Sequence, residues 1–361
     1  MMRNNSVLFR ADANAEIGAG HVMRCLTLAD ALAERGWQAA FACRDLPDNL
    51  ALLIQVHGHV LHKLPLGFDA SNSGLAHAPW LRAGMREDLA QVRQLIAAMP
   101  AAPNWIVVDH YALDARWETP LRASGARVLV IDDLADRAHD CDVLLDQNLD
   151  RDPADYRWRT PAPCRLLCGP HYALLRPEFA QLRLESLARR QPSQRLQHLL
   201  ISLGAGDHST VCLAILEALA TLPNTGLPFV RIIKGEHVRL PDRSWPFPLE
   251  SFGFVEDMGH HLLWADLAIG AAGSSIWERA CLGLPSILLP LAENQRASTR
   301  ILAEKNMAIP LLPEDIPTHL PAIIRRLLAP NPLLHAMGAT SSAIVDGAGC
   351  RRVADAMLTM A

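Results

Sequence analysis

The residue types and spacing best suited to chemistry in this chain begin at Gly18-Ala-Gly-His21-Val-Met-Arg24-Cys25, directly after its first apolar run. Ser6-Val-Leu-Phe-Arg10 reads as a short buried strand, and Val22, Leu26, Ala29 and Leu32 recur on one face of a helix. The glycine-bearing turn between them puts His21 at or near the first residue of that helix. Unpaired N–H groups and the positive dipole end there favour anions and disfavour a protonated imidazole. Arg24, one turn on, adds charge of the same sign. A histidine so placed is suited to act as a general base. The plainer alternative is a polar residue at the start of an ordinary strand–Gly-x-Gly–helix unit.

Two further groups sit in comparable places. The candidate strand 105–109 ends in Asp109-His-Tyr111, strand 127–131 ends in Asp132-Asp133 with Asp136-Arg137 beyond, and strand 142–145 ends in Asp146-Gln-Asn148. These ends are expected to join the Gly18–His21 turn on one edge, with some carboxylates pinning loops or pairing with Arg24 and Arg137. In the C-terminal half, Gly270-Ala-Ala-Gly273-Ser274-Ser275 leaves a strand and opens a helix that contains Glu278. Small residues let backbone N–H groups approach phosphate oxygens, and the serines add hydroxyl donors. Glu278 lies one turn on, where a carboxylate can accept from both ribose hydroxyls. Strand 285–289 leads to Glu293-Asn294-Gln295 at the same edge. Together these point to a diphosphonucleoside site. The alternative keeps the glycines for packing and Glu278 as a solvated helix residue.

Such groups need a scaffold that gathers strand ends. Strand and helix signals alternate throughout, which predicts an α/β protein of two Rossmann-like domains with parallel sheets facing a central cleft. In the first half the strands are 6–10, 38–43, 105–109, 127–131 and 142–145, with helices near 20–35 and 85–98. The second half restarts with a strand at 198–203, a helix near 209–222, and strands at 229–233, 266–270 and 285–289. A last helix near 351–360 follows the glycine-rich break at Asp346-Gly-Ala-Gly349. The expected domains are residues 1–185 and 195–345, with a terminal segment 346–361 packing back across them.

Composition limits the alternatives. With 361 residues, half of them apolar and a fifth charged, the chain suits two globular domains. A net charge of −4 without a Lys/Arg run argues against nucleic-acid and membrane partners. No apolar run is long enough to span a bilayer, no signal-peptide pattern opens the chain, and the eight cysteines lack zinc-type pairing. A cytoplasmic protein is expected. His57, His59 and His62 fit an exposed strand edge better than a metal cluster, and His260-His261 fits a short helix. Neither a metal nor a cofactor is expected.

The motifs carry a resemblance. A pair of Rossmann halves, the C-terminal one bearing a sugar-nucleotide loop, resembles the glycosyltransferase-B fold. Arg10-Ala-Asp12 with Ile17-Gly-Ala-Gly-His21-Val-Met-Arg24-Cys-Leu-Thr-Leu-Ala resembles the UDP-2,4-diacetamido-2,4,6-trideoxy-β-L-altropyranose hydrolase family of pseudaminic acid biosynthesis. Matching segments are Val108-Asp-His-Tyr-Ala-Leu-Asp114, Ile131-Asp-Asp-Leu-Ala-Asp-Arg137, Asp146-Gln-Asn148, Gly169-Pro-His-Tyr-Ala-Leu-Leu-Arg-Pro-Glu-Phe179, Gly273-Ser-Ser-x-Trp-Glu278-Arg and Asn294-Gln295. One departure is Gly204-Ala205-Gly206-Asp207, where a Gly-Gly pair is expected.

The resemblance implies hydrolysis of the bond between the anomeric carbon and UDP, with inversion, in pseudaminic acid biosynthesis and hence flagellin glycosylation. His21 is then the base, with Tyr111 and Asn294 orienting sugar or water. Asp12, Gly20 and Arg24 would contact substrate in the N-terminal domain. Gly273, Ser274, Ser275, Glu278 and Gln295 would hold UDP in the C-terminal one. Rival readings are an inverting UDP-sugar glycosyltransferase, a non-hydrolysing nucleotide-sugar epimerase and a nucleotide-sugar-binding module without catalysis.

Overall fold

A computed structural model describes residues 5–14, 16–67, 73–192, 195–204, 206–223, 226–330 and 332–360, with Asn294 described by its backbone alone. The chain divides into two compact units, residues 1–174 with 349–361 and residues 175–348.

The N-terminal unit is a seven-stranded sheet of β1 (Ser6–Ala11), β2 (Gln38–Cys43), β3 (Val60–Lys63), β4 (Trp105–Asp109), β5 (Arg127–Ile131), β6 (Val143–Asp146) and β7 (Arg165–Cys168). The order is β3-β2-β1-β4-β5-β6-β7, and every pairing is parallel. A sheet covered on both faces needs apolar side chains at successive positions. Ile106-Val-Val108 and Val128-Leu-Val-Ile131 supply them. Phe9, Val107, Leu129 and Leu145 enter one core with α1 (Gly20–Ala33). Leu8, Ile106, Val108, Val130 and Leu144 enter the core on the opposite face. That opposite face carries Val92 of α3 (Met85–Ala98) and Trp117 of α4 (Ala115–Arg122). The short helix α2 (Asp48–Val56) connects β2 to the edge strand β3.

The C-terminal unit repeats the plan with six parallel strands: β8 (His198–Ser202), β9 (Phe229–Ile233), β10 (Leu249–Phe252), β11 (Leu267–Ala271), β12 (Ser286–Leu289) and β13 (Ile309–Pro310). Their order is β10-β9-β8-β11-β12-β13. Its helices are α5 (Pro177–Arg189), α6 (Ser209–Ala220), α7 (Met258–Trp264), α8 (Ser275–Cys281), α9 (Glu293–Glu304), α10 (Ile316–Leu328) and α11 (Pro332–Ser342); α12 (Gly349–Leu358) ends the chain. Both sheets follow the order 3-2-1-4-5-6 in chain order, the first with a seventh strand added at its end, which sets a crevice at the carboxyl ends where the order reverses.

The division differs from the expected boundary near 185–195. It falls after Leu174, and α5 joins the C-terminal unit because its polar side chains hold carbonyls there. Arg183 donates to the carbonyls of Cys281, Ser342 and Val345, Ser186 to that of Leu282, and Arg190 to those of Leu282, Ala265 and Leu262. The terminal helix α12 belongs to the N-terminal unit, with Val353, Ala354 and Met357 in the core shared with α1. Gly349 starts it where a Cβ would lie 2.3 Å from the Ala173 carbonyl oxygen, so only glycine fits.

Among the described residues no helix is long and apolar enough to cross a membrane. His57 and His59 lie just ahead of β3, and both bond to Asp30 at 2.8 and 2.7 Å. His260 and His261 lie in α7.

Candidate active site

Strands β1, β4, β5 and β6 are parallel neighbours, so their carboxyl ends bring Asp12, Asp109, Asp132-Asp133 and Asp146 to one edge of the sheet. The turn between β1 and α1 is built to a fixed shape. The Asn14 side-chain oxygen accepts from the amides of Glu16 and Ile17 at 2.8 and 2.7 Å, and its amide donates to Asp45. Gly18 takes φ +79°, which L side chains rarely adopt. Gly20 is then the first residue of α1, and His21 the second.

His21 Nδ1 lies 2.5 Å from Asp109 Oδ1. Arg24 grips both oxygens of the same carboxylate, through Nε to Oδ2 at 2.6 Å and Nη2 to Oδ1 at 2.7 Å, and its Nη2 lies 3.3 Å from His21 Nδ1. Its remaining nitrogen, Nη1, donates to Asp133 at 2.7 Å, and the Tyr111 hydroxyl donates to the same Asp133 oxygen at 2.7 Å. The His21 and Tyr111 rings meet edge to face, 4.7 Å between centroids. Burial alone would raise the Asp109 pKa, but Arg24 and His21 overcome it and hold the carboxyl well below the usual range. Burial, with Asp133 beside it, pushes the Tyr111 hydroxyl far above its ordinary value, so it remains a donor.

Three sequence expectations change here. Asp109 and Asp133 pair with Arg24, as expected of strand-end carboxylates, and with all three guanidinium nitrogens so engaged the expected contact of Arg24 with substrate gives way to a role in holding this network. Tyr111 is 7% exposed and its hydroxyl is engaged, so it buttresses His21. Asp12 is fully buried, paired with Arg10 at 2.8 Å and His110 at 3.2 Å, and accepts the Arg44 amide at 2.6 Å. Strand β1 runs one residue further than expected, which carries Asp12 beneath the edge into a network where Asp88 bonds Arg10, Arg44 and Trp117. Asp109 was legible as a strand-end carboxylate but not as the partner of His21.

The other strand ends also pair off. Tyr156 bonds Asp132 and Asp146 at 2.9 and 2.7 Å, Arg137 pairs with Asp132 and Asp136, and Arg151 with Asp146. Burial, with Asp133 adding to it, raises the Asp146 carboxyl to about 6.

The C-terminal loop is held from behind. Arg279 of α8 donates to the Ala271 carbonyl at 2.9 Å and to the Ser275 hydroxyl at 3.1 Å. Gly270 makes room for it, since a Cβ there would lie 2.6 Å from Arg279 Nη1. The amides of Ile276 and Trp277 return to the Gly273 and Ser274 carbonyls at 3.0 and 3.1 Å. Ser275 Oγ therefore serves Arg279. Ser274 stays exposed, and nothing lies within 4 Å of a Cβ built on Gly273. Among the described residues none gives the half-buried Glu278 a hydrogen bond or ion pair; burial raises its carboxyl above the ordinary range. Gln295 turns its side-chain oxygen to the Leu291 amide at 2.9 Å, closing its own loop. The Asn294 side chain and Ala205 lie outside the described residues. No group of three or more His, Cys, Asp or Glu arranged for a metal occurs among the described residues.

Comparison with known proteins meets this geometry. Over 99% of its length the chain superposes on MurG of Acinetobacter baumannii, covering all of that structure, at TM-score 0.63 and 17% identity. The fold is of the glycosyltransferase-B type. Residues 226–349 match the Glycosyltransferase family 28 C-terminal domain. The resemblance read from the motifs is borne out: the chain is similar to the UDP-2,4-diacetamido-2,4,6-trideoxy-beta-L-altropyranose hydrolase of Campylobacter jejuni, 27% identical over 185 residues, 51% of this chain and 57% of that protein. It is also similar to the UDP-N-acetylglucosamine–N-acetylmuramyl-(pentapeptide) pyrophosphoryl-undecaprenol N-acetylglucosamine transferase of Pseudomonas fluorescens, 30% identical over 186 residues, 48% of this chain and 52% of that enzyme. The chain thus spans little more than half the length of these curated relatives.

Proposed function

We propose that this protein hydrolyses a UDP-linked 2,4-diacetamido-2,4,6-trideoxy sugar at the anomeric carbon, releasing UDP and the free sugar with inversion. The observation that carries this reading is the His21–Asp109 contact of 2.5 Å, with both oxygens of Asp109 also held by Arg24. A carboxylate on Nδ1 fixes the imidazole so that Nε2 faces outward as the acceptor, and offsets the positive charge that forms when it takes a proton.

In the reaction so assigned, Nε2 of His21 removes a proton from water as the water oxygen bonds to the anomeric carbon. The bond from that carbon to the β-phosphate oxygen breaks, and its electron pair leaves with UDP. His21 later returns its proton to solvent. Attack opposite the leaving group inverts the centre. UDP needs charge neutralisation more than protonation. We assign that to the open Gly273–Ser274 backbone and the Ser274 hydroxyl, with Glu278 accepting the ribose hydroxyls. The base and sugar thus belong to the N-terminal unit and UDP to the C-terminal one. Similarity to the Campylobacter jejuni hydrolase supports this choice of sugar and a place in pseudaminic acid biosynthesis. Eight free cysteines suit a reducing cytoplasm.

A second reading, an inverting UDP-sugar glycosyltransferase, is favoured by the match to the family 28 C-terminal domain. There His21 would deprotonate an acceptor hydroxyl. Incubation of the protein with the UDP-sugar alone, followed by NMR, separates the two. Stoichiometric UDP and free sugar of inverted anomeric configuration are expected; UDP release only on addition of an acceptor alcohol would decide for transfer.

A further inference from the structure

His77 precedes the turn Ala78–Leu81 and Trp80 lies within it, just ahead of α3, in a stretch where the sequence offers no motif. Ala78 and Leu81 are buried and anchor the turn, whereas the His77 and Trp80 rings stay half-exposed. Both rings lie on Tyr111. Trp80 stacks on it at 5.6 Å with 27° between planes, His77 meets it at 5.3 Å, and the two touch each other at 4.6 Å. Tyr111 in turn meets His21, and the Arg137 guanidinium lies 5.8 Å from the Tyr111 ring. The indole N–H donates to Glu16 in the turn that precedes His21, at 2.9 Å.

We propose that Trp80 and His77 form the wall that receives the apolar face of the sugar, with Tyr111 as its buried backing. This rests on the UDP-sugar reading above and names the specificity element of that site. The polar tip of Trp80 is already satisfied by Glu16, so what the side chain offers beside His21 is ring surface. Burial keeps the His77 imidazole below its usual range, so it adds no charge at neutral pH. An uncharged aromatic wall suits a ring that carries methyl groups in place of hydroxyls, as at C6 of a trideoxy sugar and on its two acetamido groups. A 6-hydroxyl set against the same surface would lose its hydrogen bonds to water without replacement.

The test uses the full chain in a His21→Asn background, so that no turnover intervenes. Calorimetry measures the affinity for UDP, for the UDP-diacetamido-trideoxy sugar and for UDP-N-acetylglucosamine. Trp80→Leu, which keeps bulk but removes the aromatic face, should cut the gain of the diacetamido-trideoxy substrate over UDP about tenfold. Trp80→Phe should restore most of it, His77→Ala should lose part, and UDP-N-acetylglucosamine should be affected less. The proposal is overturned if that gain survives in both Trp80→Leu and His77→Ala, if UDP and UDP-sugar weaken alike, or if no gain over UDP exists beforehand. Absence of UDP release from either UDP-sugar by the unsubstituted protein, with the gain intact, would refute the hydrolase reading and leave the wall standing.

Discussion

The two units share a topology but treat their polar residues in opposite ways. At the carboxyl edge of the N-terminal sheet nearly every charge is engaged: Asp109 with His21 and Arg24, Asp133 with Arg24 and Tyr111, Asp132 and Asp146 with Tyr156. At the corresponding edge of the C-terminal sheet, Ser274 is exposed, Gly273 faces open space and Glu278 makes no hydrogen bond or close ion pair among the described residues, feeling Arg176 and Arg279 only at longer range. Catalysis rewards groups fixed before the substrate arrives, because no reorganisation is then needed in the transition state. Ligand binding can leave groups free until the ligand supplies their partners. The same strand order thus carries an ordered polar network in one unit and an open loop in the other, the contrast on which the proposed division of labour rests.

The hardest test of this contrast is His21→Asn. If the N-terminal edge supplies the base, hydrolysis should fall roughly 10²–10⁴-fold while UDP affinity holds. Turnover near that of the unsubstituted protein would remove the base assignment and with it the reason for the ordered network. Asp109→Asn comes next. It leaves Asp133 as the only carboxylate on Arg24 and sets His21 against a neutral amide that cannot offset its charge, so activity should fall at least a hundredfold and stability by on the order of 3 kcal/mol. The discriminating readout is the double variant, which should be no slower than His21→Asn alone, since both changes remove one unit of function.

Much of this contrast was present in the chain before it folded. Gly18, at φ +79°, marks the turn before His21, Gly270 leaves the room that Arg279 fills, and polar residues after apolar runs mark strand ends. What the sequence could not express was adjacency. His21 and Asp109 are 88 positions apart and meet only because β4 lies beside β1. Asp12 reads as a substrate contact because β1 is expected to stop at Arg10; the burial of Arg10, Asp12 and Asp88 as one paired cluster shows only once β1 and α3 are brought together. Short strands such as β7 and β13 lacked the length to show a pattern, and α9 carries no continuous apolar stripe. The boundary differs from the expected one because Arg183 of α5 and Arg190 just after it bind carbonyls of the C-terminal unit, a role that their charge alone does not reveal.

Beneath the ordered edge, His139 gives the contrast a pH dependence. Its Nδ1 lies 2.8 Å from Glu118 and its Nε2 3.8 Å from Asp132; burial alone would lower its pKa, but these carboxylates outweigh it and raise the imidazole to about 9. A histidine pKa raised by folding stabilises fully below its unfolded value of about 6.5 and loses that contribution as pH rises through the folded value. The N-terminal unit should therefore weaken between about pH 6.5 and 9, by up to roughly 3 kcal/mol. Hydrogen exchange in α4 and β5 would register it, and His139→Gln should flatten the profile. Unchanged protection across that interval would show that the network is not held by charge.

The smallest effect lies in the open unit, where removing a charge should not destabilise the fold. Burial raises the Glu278 carboxyl, so the charged form at neutral pH costs the unliganded protein stability. By the same linkage its contribution is favourable only below its unfolded pKa and is lost as pH rises through the folded one. Glu278→Gln should therefore leave the melting temperature at pH 7 unchanged or slightly higher, where Asp109→Asn lowers it. UDP affinity should nevertheless drop about tenfold, as a charge-assisted acceptor for the ribose is lost. A melting point that falls with Glu278→Gln would mean that this carboxylate is structural. The polar groups of the C-terminal edge would then be tied down like those of its counterpart, and the distinction between the units would fail where it is thinnest.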